Sequence, residues 1–127
     1  GDIGFKTKQI KDFINKQITI CTDFNLNNDE IIELLLSSKN GIIFENNKGF
    51  HGILTTKDVL KFLINKPNEY SIYDLINTKP VILDNPNELI INKLELLQKY
   101  KIFKFIPILC NNKCIGILDN SLILRYI

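Results

Sequence analysis

Apolar positions along the chain change period several times, and each change marks an element. Lys8 to Asn15 carries Ile10, Phe13 and Ile14 at helical spacing, which predicts a lead-in helix. Ile18-Thr19-Ile20-Cys21 is short and β-branched and predicts a strand. Asn28 to Ser38 places Asp29 and Glu30 in a first turn and Ile31, Leu34 and Leu35 on one face, as a helix does. Gly41 to Glu45 then reads as a strand, Asn46-Asn47-Lys48-Gly49 as a hairpin turn and Phe50 to Leu54 as the returning strand. Thr55 opens a helix bearing Val59, Leu60, Phe62 and Leu63, which Lys66-Pro67-Asn68 stops.

The rest of the chain repeats this order. Ser71 to Ile76 is a short lead-in helix, Pro80 to Leu83 a strand and Asn87 to Tyr100 a helix. Phe105 to Cys110 and Cys114 to Leu118 form the hairpin, and Ser121 onward the last helix. Gly52-Ile53-Leu54 with Leu60 returns 64 positions later as Gly116-Ile117-Leu118 with Leu124. At that offset Ile42 meets Ile106 and Asn47 meets Asn111, while Phe44/Ile108, Val59/Ile123, Lys61/Arg125, Phe62/Tyr126 and Leu63/Ile127 pair conservatively. The offset is 62 at Ile20/Ile82, so the second repeat is two residues longer in its middle.

Such repetition predicts two like lobes related by a pseudo-two-fold, with function in a cleft shared between them. The expected fold class is α+β, tandem β-α-β-β-α repeats, each a small mixed sheet flanked by helices. Residues 1–66 form the first repeat with its lead-in helix and residues 67–127 the second. Ile64 to Tyr70 is a linker short enough to hold the lobes together in one module.

Composition narrows the function. At 127 residues, 45% hydrophobic and 24% charged, the chain can bury one substantial core. Its net charge of +2 comes from 16 basic and 14 acidic residues that are interspersed rather than clustered, which argues against nucleic-acid binding. No apolar run approaches the ~18 residues of a membrane span, so no membrane contact is expected. The absence of Met, the Gly1 start and an amphipathic end without a C-cap predict a piece excised from a longer protein. Three cysteines, an odd number, fit a reduced, cytoplasmic protein. Cys110 and Cys114 flank an Asn-Asn-Lys turn, either as small apolar side chains at strand ends or, facing across a hairpin, as a redox pair or half a metal site.

Candidate chemistry centres on Thr55 and Asp58, three apart at a helix start. There both side chains address unpaired N–H groups and the positive end of the dipole. Two readings fit: an N-cap with an acidic first turn, or a carboxylate that accepts from ribose hydroxyls beside donors for phosphate. No Ser-His-Asp, Cys-His or paired-carboxylate set is visible, and His51 lacks an evident partner, so no enzyme is predicted.

The succession strand, helix, strand, turn, strand, Gly-hydrophobic-hydrophobic-Thr-x-x-Asp, helix, stated twice, resembles the CBS domain pair, or Bateman module. The resemblance covers nearly the whole chain. It rests on Gly52-Ile53-Leu54-Thr55-Thr56-Lys57-Asp58, on Lys79-Pro80-Val81-Ile82 and on Ile106-Pro107-Ile108. It implies an adenosine-nucleotide sensor of AMP, ADP or ATP, with dinucleotides or S-adenosylmethionine as further ligands. The nucleotide is a regulatory ligand, not a required cofactor, and the module controls a covalently attached effector domain.

By the same resemblance, Thr55 and Asp58 serve a pocket walled by the other repeat. Pro80, Val81 and Ile82 hold the adenine edge by their backbone, together with Lys104, Phe105, Ile106 and Pro107. Lys104 reaches phosphate or is a solvated charge; Phe105 stacks on a base or belongs to the core. In the second half, Asp119 and Leu122 stand where Thr55 and Asp58 stand in the first. The matching wall, Ile18-Thr19-Ile20 with Asn40-Gly41-Ile42, lacks the usual proline, so one nucleotide per chain is expected. Apolar stripes Val59-Phe62-Leu63 and Leu122-Ile123-Tyr126 predict a homodimer. The alternative is a dimerisation module of the same fold that binds no ligand.

Overall fold

Asn27 caps a ten-residue helix, α2 (Asn28–Ser37), with a reciprocal pair of hydrogen bonds. Its Oδ1 accepts from the Glu30 N–H at 2.8 Å, and Glu30 Oε1 accepts from the Asn27 N–H at 3.1 Å. Ile31 and Leu35 on its inner face are buried. In this computed structural model, which describes residues 3–65, 70–99 and 105–126, such local rules build two compact units. One is Ile18–Pro80; the other joins Gly1–Gln17 to Val81–Ile127.

The unit Ile18–Pro80 holds a mixed sheet. β2 (Thr19–Cys21) runs parallel to β3 (Gly41–Asn46), and β3 pairs antiparallel with β4 (Gly49–Thr55). The hairpin closes through Asn47-Lys48 onto Gly49, whose φ of 114° suits a residue without a Cβ. Next comes α3 (Thr56–Asn65). The core is Cys21, Ile31, Leu35, Ile42, Phe44, Leu54, Val59 and Ile72. Ile72 arrives on a 3-10 turn, Ile72–Leu75, and Asn77 then pairs with Ile53 at the open side of β4. The Tyr73 hydroxyl accepts from the Leu26 N–H at 2.8 Å and ties the turn to the loop before α2.

The other unit has the same plan. β1 (Ile14–Asn15), β5 (Pro107–Cys110) and β6 (Lys113–Leu118) form a sheet in the order β1-β6-β5, and Leu83 bridges parallel to Ile108 on the far side of β5. Asn111 and Asn112, at φ 51° and 62°, make the two-residue turn of this hairpin. Phe5 and Ile10 from α1 (Ile3–Lys6) and the turn that follows it join Phe13, Leu83, Ile90, Leu97, Ile106, Ile108, Leu118 and Ile123 in the core. Phe5, Phe13 and Tyr126 meet ring to ring at 5.5 to 5.9 Å.

Repeat and unit are therefore different divisions of the chain. In sequence each lead-in precedes its own repeat, whereas in packing the first lead-in completes the unit of the second repeat and the second lead-in that of the first. The equivalence reaches fine detail. Both hairpins shift register at matching places, Phe44/Glu45 and Ile108/Leu109, opposite Gly52 and Gly116. Asn15 and Asn77 each accept from the N–H two residues on, at 2.9 and 3.0 Å. The α+β class and the mixed sheets flanked by helices are as the hydrophobic pattern predicts.

Several predicted elements differ. The helix expected over Lys8 to Asn15 is a 3-10 turn, Ile10–Phe13, because Ile14 and Asn15 pair with Leu118 and Ile117 instead. The helix expected over Asn87 to Tyr100 starts later, as a 3-10 turn Ile90–Lys93 running into α4 (Leu94–Lys99). Leu89 stands where Asn27 caps α2 and has no side-chain acceptor to cap a helix. Tyr100 and most of the predicted linker lie outside the described residues. α5 (Asn120–Leu124) begins after Asp119. Cys110 and Cys114 do not face each other, since the register pairs Cys110 with Lys113 and Leu109 with Cys114. Neither forms a disulfide, and Cys114 is buried with its thiol donating to the Gly116 carbonyl at 3.2 Å.

Candidate functional site

Thr55 ends β4 and Asp58 sits in the first turn of α3, so the strand-to-helix junction brings both to one point. Asp58 Oδ2 accepts from the Thr55 hydroxyl at 2.8 Å and from the Thr55 N–H at 3.1 Å, and Thr55 Oγ1 accepts from the Asp58 N–H at 3.3 Å. This is a capping box, and it orients the carboxylate. Both residues are half-buried. One acceptor oxygen is thereby committed twice. The other, Oδ1, has no hydrogen bond among the described residues, which leaves a carboxylate oxygen for a vicinal diol.

The other half lacks this couple. Asp119 Oδ1 accepts from the Ser121 hydroxyl at 2.6 Å and the Ser121 N–H at 3.0 Å, so Asp119 caps α5, while Leu122 packs against its core.

The expected strand Pro80 to Leu83 does not form; only Leu83 is laddered. Its N–H donates to the Pro107 carbonyl at 2.9 Å, and its carbonyl accepts from the Leu109 N–H at 2.8 Å. Pro80, Val81 and Ile82 are half-buried, and among the described residues their backbones make no hydrogen bond. Ile106 is 1% exposed, and its carbonyl accepts from the Leu118 N–H at 2.9 Å. Ile106 and Pro107 therefore have their carbonyls committed to the sheet. Phe105 is half-buried, and Lys104 lies outside the described residues.

Thr55, Asp58 and Pro80 thus belong to the unit Ile18–Pro80, and Val81, Ile82, Phe105, Ile106 and Pro107 to the other. Sequence reasoning missed the unladdered backbone at Val81 and Ile82. Its signal was a pair of prolines, Pro80 and Pro107, on segments expected to pair. A hollow of about 360 Å³ lined by Leu26, Glu30, Glu33, Leu34 and Ser37 contains none of the predicted residues. Among the described residues no group of three His, Cys, Asp or Glu is placed to hold a metal, and no helix is long and apolar enough to cross a membrane.

No family model matches the sequence, and no curated protein does. Solved structures do. A CBS domain-containing protein of unknown function from Bacillus anthracis superposes with a TM-score of 0.77 at 16% identity, over 97% of this chain and 94% of that one. The CBS domain pair of protein MJ0100, solved with 5′-methylthioadenosine and S-adenosyl-L-methionine, gives 0.74 at 19% identity over 94% and 95%. The chain has the fold of a CBS domain pair. CBSX2, solved with AMP, shares the CBS-pair fold at a TM-score of 0.67 and 20% identity, over 93% of this chain and 94% of its own. At such identities the likeness is one of fold. Within that fold, Gly52-Ile53-Leu54 and Gly116-Ile117-Leu118 are the returning strands of the two hairpins.

Proposed function

We propose that this chain is a regulatory CBS module that binds an adenosine nucleotide of the AMP, ADP or ATP type and passes its occupancy to an attached effector domain. The observation that carries this reading is the Thr55–Asp58 couple at the head of α3, present in one half and replaced by an Asp119 cap in the other. Solved proteins of the same fold hold AMP, S-adenosyl-L-methionine and 5′-methylthioadenosine, which supports an adenosine ligand. Asp58 accepts from the ribose hydroxyls, and the α3 N-terminus donates to phosphate with Lys104. The backbone at Pro80, Val81 and Ile82 reads the adenine edge, beside Phe105, Ile106 and Pro107. The module performs no catalysis, works in the cytoplasm and needs no cofactor.

Calorimetry with AMP, ADP, ATP and S-adenosylmethionine tests the reading. One adenosine ligand binds per chain, and Asp58→Ala abolishes the heat of binding. Two ligands per chain, or full affinity in Asp58→Ala, refutes the assignment of the site. A second reading, a dimerisation module, is favoured by the exposed Leu60, Leu63 and Ile64 on α3 and Leu124 on α5.

A further inference from the structure

Pro107 is buried in a strand that has neighbours on both sides, Leu83 and β6, although proline cannot donate to either. In a parallel ladder every second residue both donates to and accepts from the strand beside it. In the unit Ile18–Pro80 this pairing covers Thr19–Ile42, Ile20–Ile43 and Cys21–Phe44. In the other unit it shrinks to Leu83–Ile108.

The reason is one atom. The Leu83 bonds run to the Pro107 carbonyl and from the Leu109 N–H. The next bond upstream requires position 107 to donate to the Val81 carbonyl, and proline has no N–H. Ile43 occupies the equivalent place in the other repeat and has one, and there the strand extends back to Thr19. Among the described residues Val81 therefore keeps both its backbone groups out of the sheet.

We infer that Pro107 is a positioning residue for an adenine ring: by withholding one donor it leaves the Val81 carbonyl and N–H to the base. The inference rests on the nucleotide reading above. In extended backbone the N–H and carbonyl of one residue point the same way, side by side. The adenine edge offers the complement, an amino group that donates and a ring nitrogen that accepts. Hypoxanthine presents the reverse order, a carbonyl and a ring N–H, so an unladdered Val81 discriminates between the two. A ladder closed at position 107 would consume the Val81 carbonyl and draw the Val81 N–H onto the Phe105 carbonyl, which removes both groups from the base and abolishes the discrimination.

Pro107→Ile copies the other repeat and restores the donor. Pro107→Ala restores it without added bulk, should the larger side chain prevent folding. Two measurements are made on each: amide hydrogen exchange at position 107 without ligand, and the affinities for AMP and inosine monophosphate. The wild type prefers AMP. In the variants the new amide is protected, AMP affinity falls about tenfold, as two lost hydrogen bonds imply, and the AMP preference disappears. A variant that keeps the wild-type AMP preference, or loses affinity for both nucleotides equally, overturns the role given to Pro107 while leaving the site in place. A wild-type chain that binds neither nucleotide overturns the nucleotide reading itself.

Discussion

A methyl group on Gly52 would stand 2.5 Å from the carbonyl oxygen of Asn77, and one on Gly116 would stand 2.6 Å from that of Asn15. The two glycines that announce the sequence repeat are thus held by the same contact, the lead-in segment lying flat on the returning strand. The nearest backbone atoms belong to pairs that are themselves hydrogen-bonded, Ile53 with Asn77 and Ile117 with Asn15, so they cannot yield cheaply. Gly52→Ala and Gly116→Ala are each expected to destabilise the protein by about 2–4 kcal/mol in urea denaturation, the upper range of overpacking. A cost below about 0.5 kcal/mol would mean that the lead-in segments do not lie there. Burial also pushes the Cys21 thiol up from its ordinary value, in keeping with a core residue rather than a reactive one.

Among elements, the two hairpins reach the same register by different turns. The first uses Gly49 at positive φ after an Asn47-Lys48 loop, and the second uses Asn111 and Asn112, both left-handed. Asn tolerates that conformation because its short side chain bonds locally; a β-branched residue does not. Asn111→Val is expected to cost about 1–2 kcal/mol of stability in thermal unfolding. The equivalent Asn47→Val, where no positive φ occurs, should cost little. Equal losses at both positions would refute the turn assignment. The helices differ similarly: α2 begins on the Asn27–Glu30 box, and the 3-10 turn before α4 begins on Leu89 without one.

Across the whole molecule, the exchange of lead-ins makes an unusual demand on truncation. Deleting residues 1–15 removes Phe5, Ile10, Phe13 and Ile14, which pack with Leu83, Ile90, Ile108 and Leu118 far along the chain. The deletion is expected to unfold the unit that contains Val81–Ile127 and to spare the β3–β4 hairpin, read as selective loss of amide protection. Loss confined to residues 18–65 would contradict the packing. The exposed apolar residues of α3, with Ile64 at 82% and Leu60 at 57% exposure, make the proposed homodimer testable by sedimentation. A dimer in the wild type that dissociates in Leu60→Glu is expected, and a wild-type monomer at high concentration would argue against it.

The residues alone determined most of the element order, the duplication and the Thr55–Asp58 couple, because these depend on neighbours a few positions away: apolar period, turn chemistry and side-chain reach along one helix turn. Even the two extra residues of the second repeat are visible in the pairing, Cys21 with Phe44 but Leu83 with Ile108. Tertiary structure decided what depends on distant partners. It made Ile14–Asn15 a strand rather than the end of a helix, gave each lead-in to the other repeat's sheet and reduced Pro80–Leu83 to a single bridge. In each case the outcome turns on a backbone donor or acceptor supplied, or withheld, by a residue remote in sequence, and no local pattern records which remote residue that is.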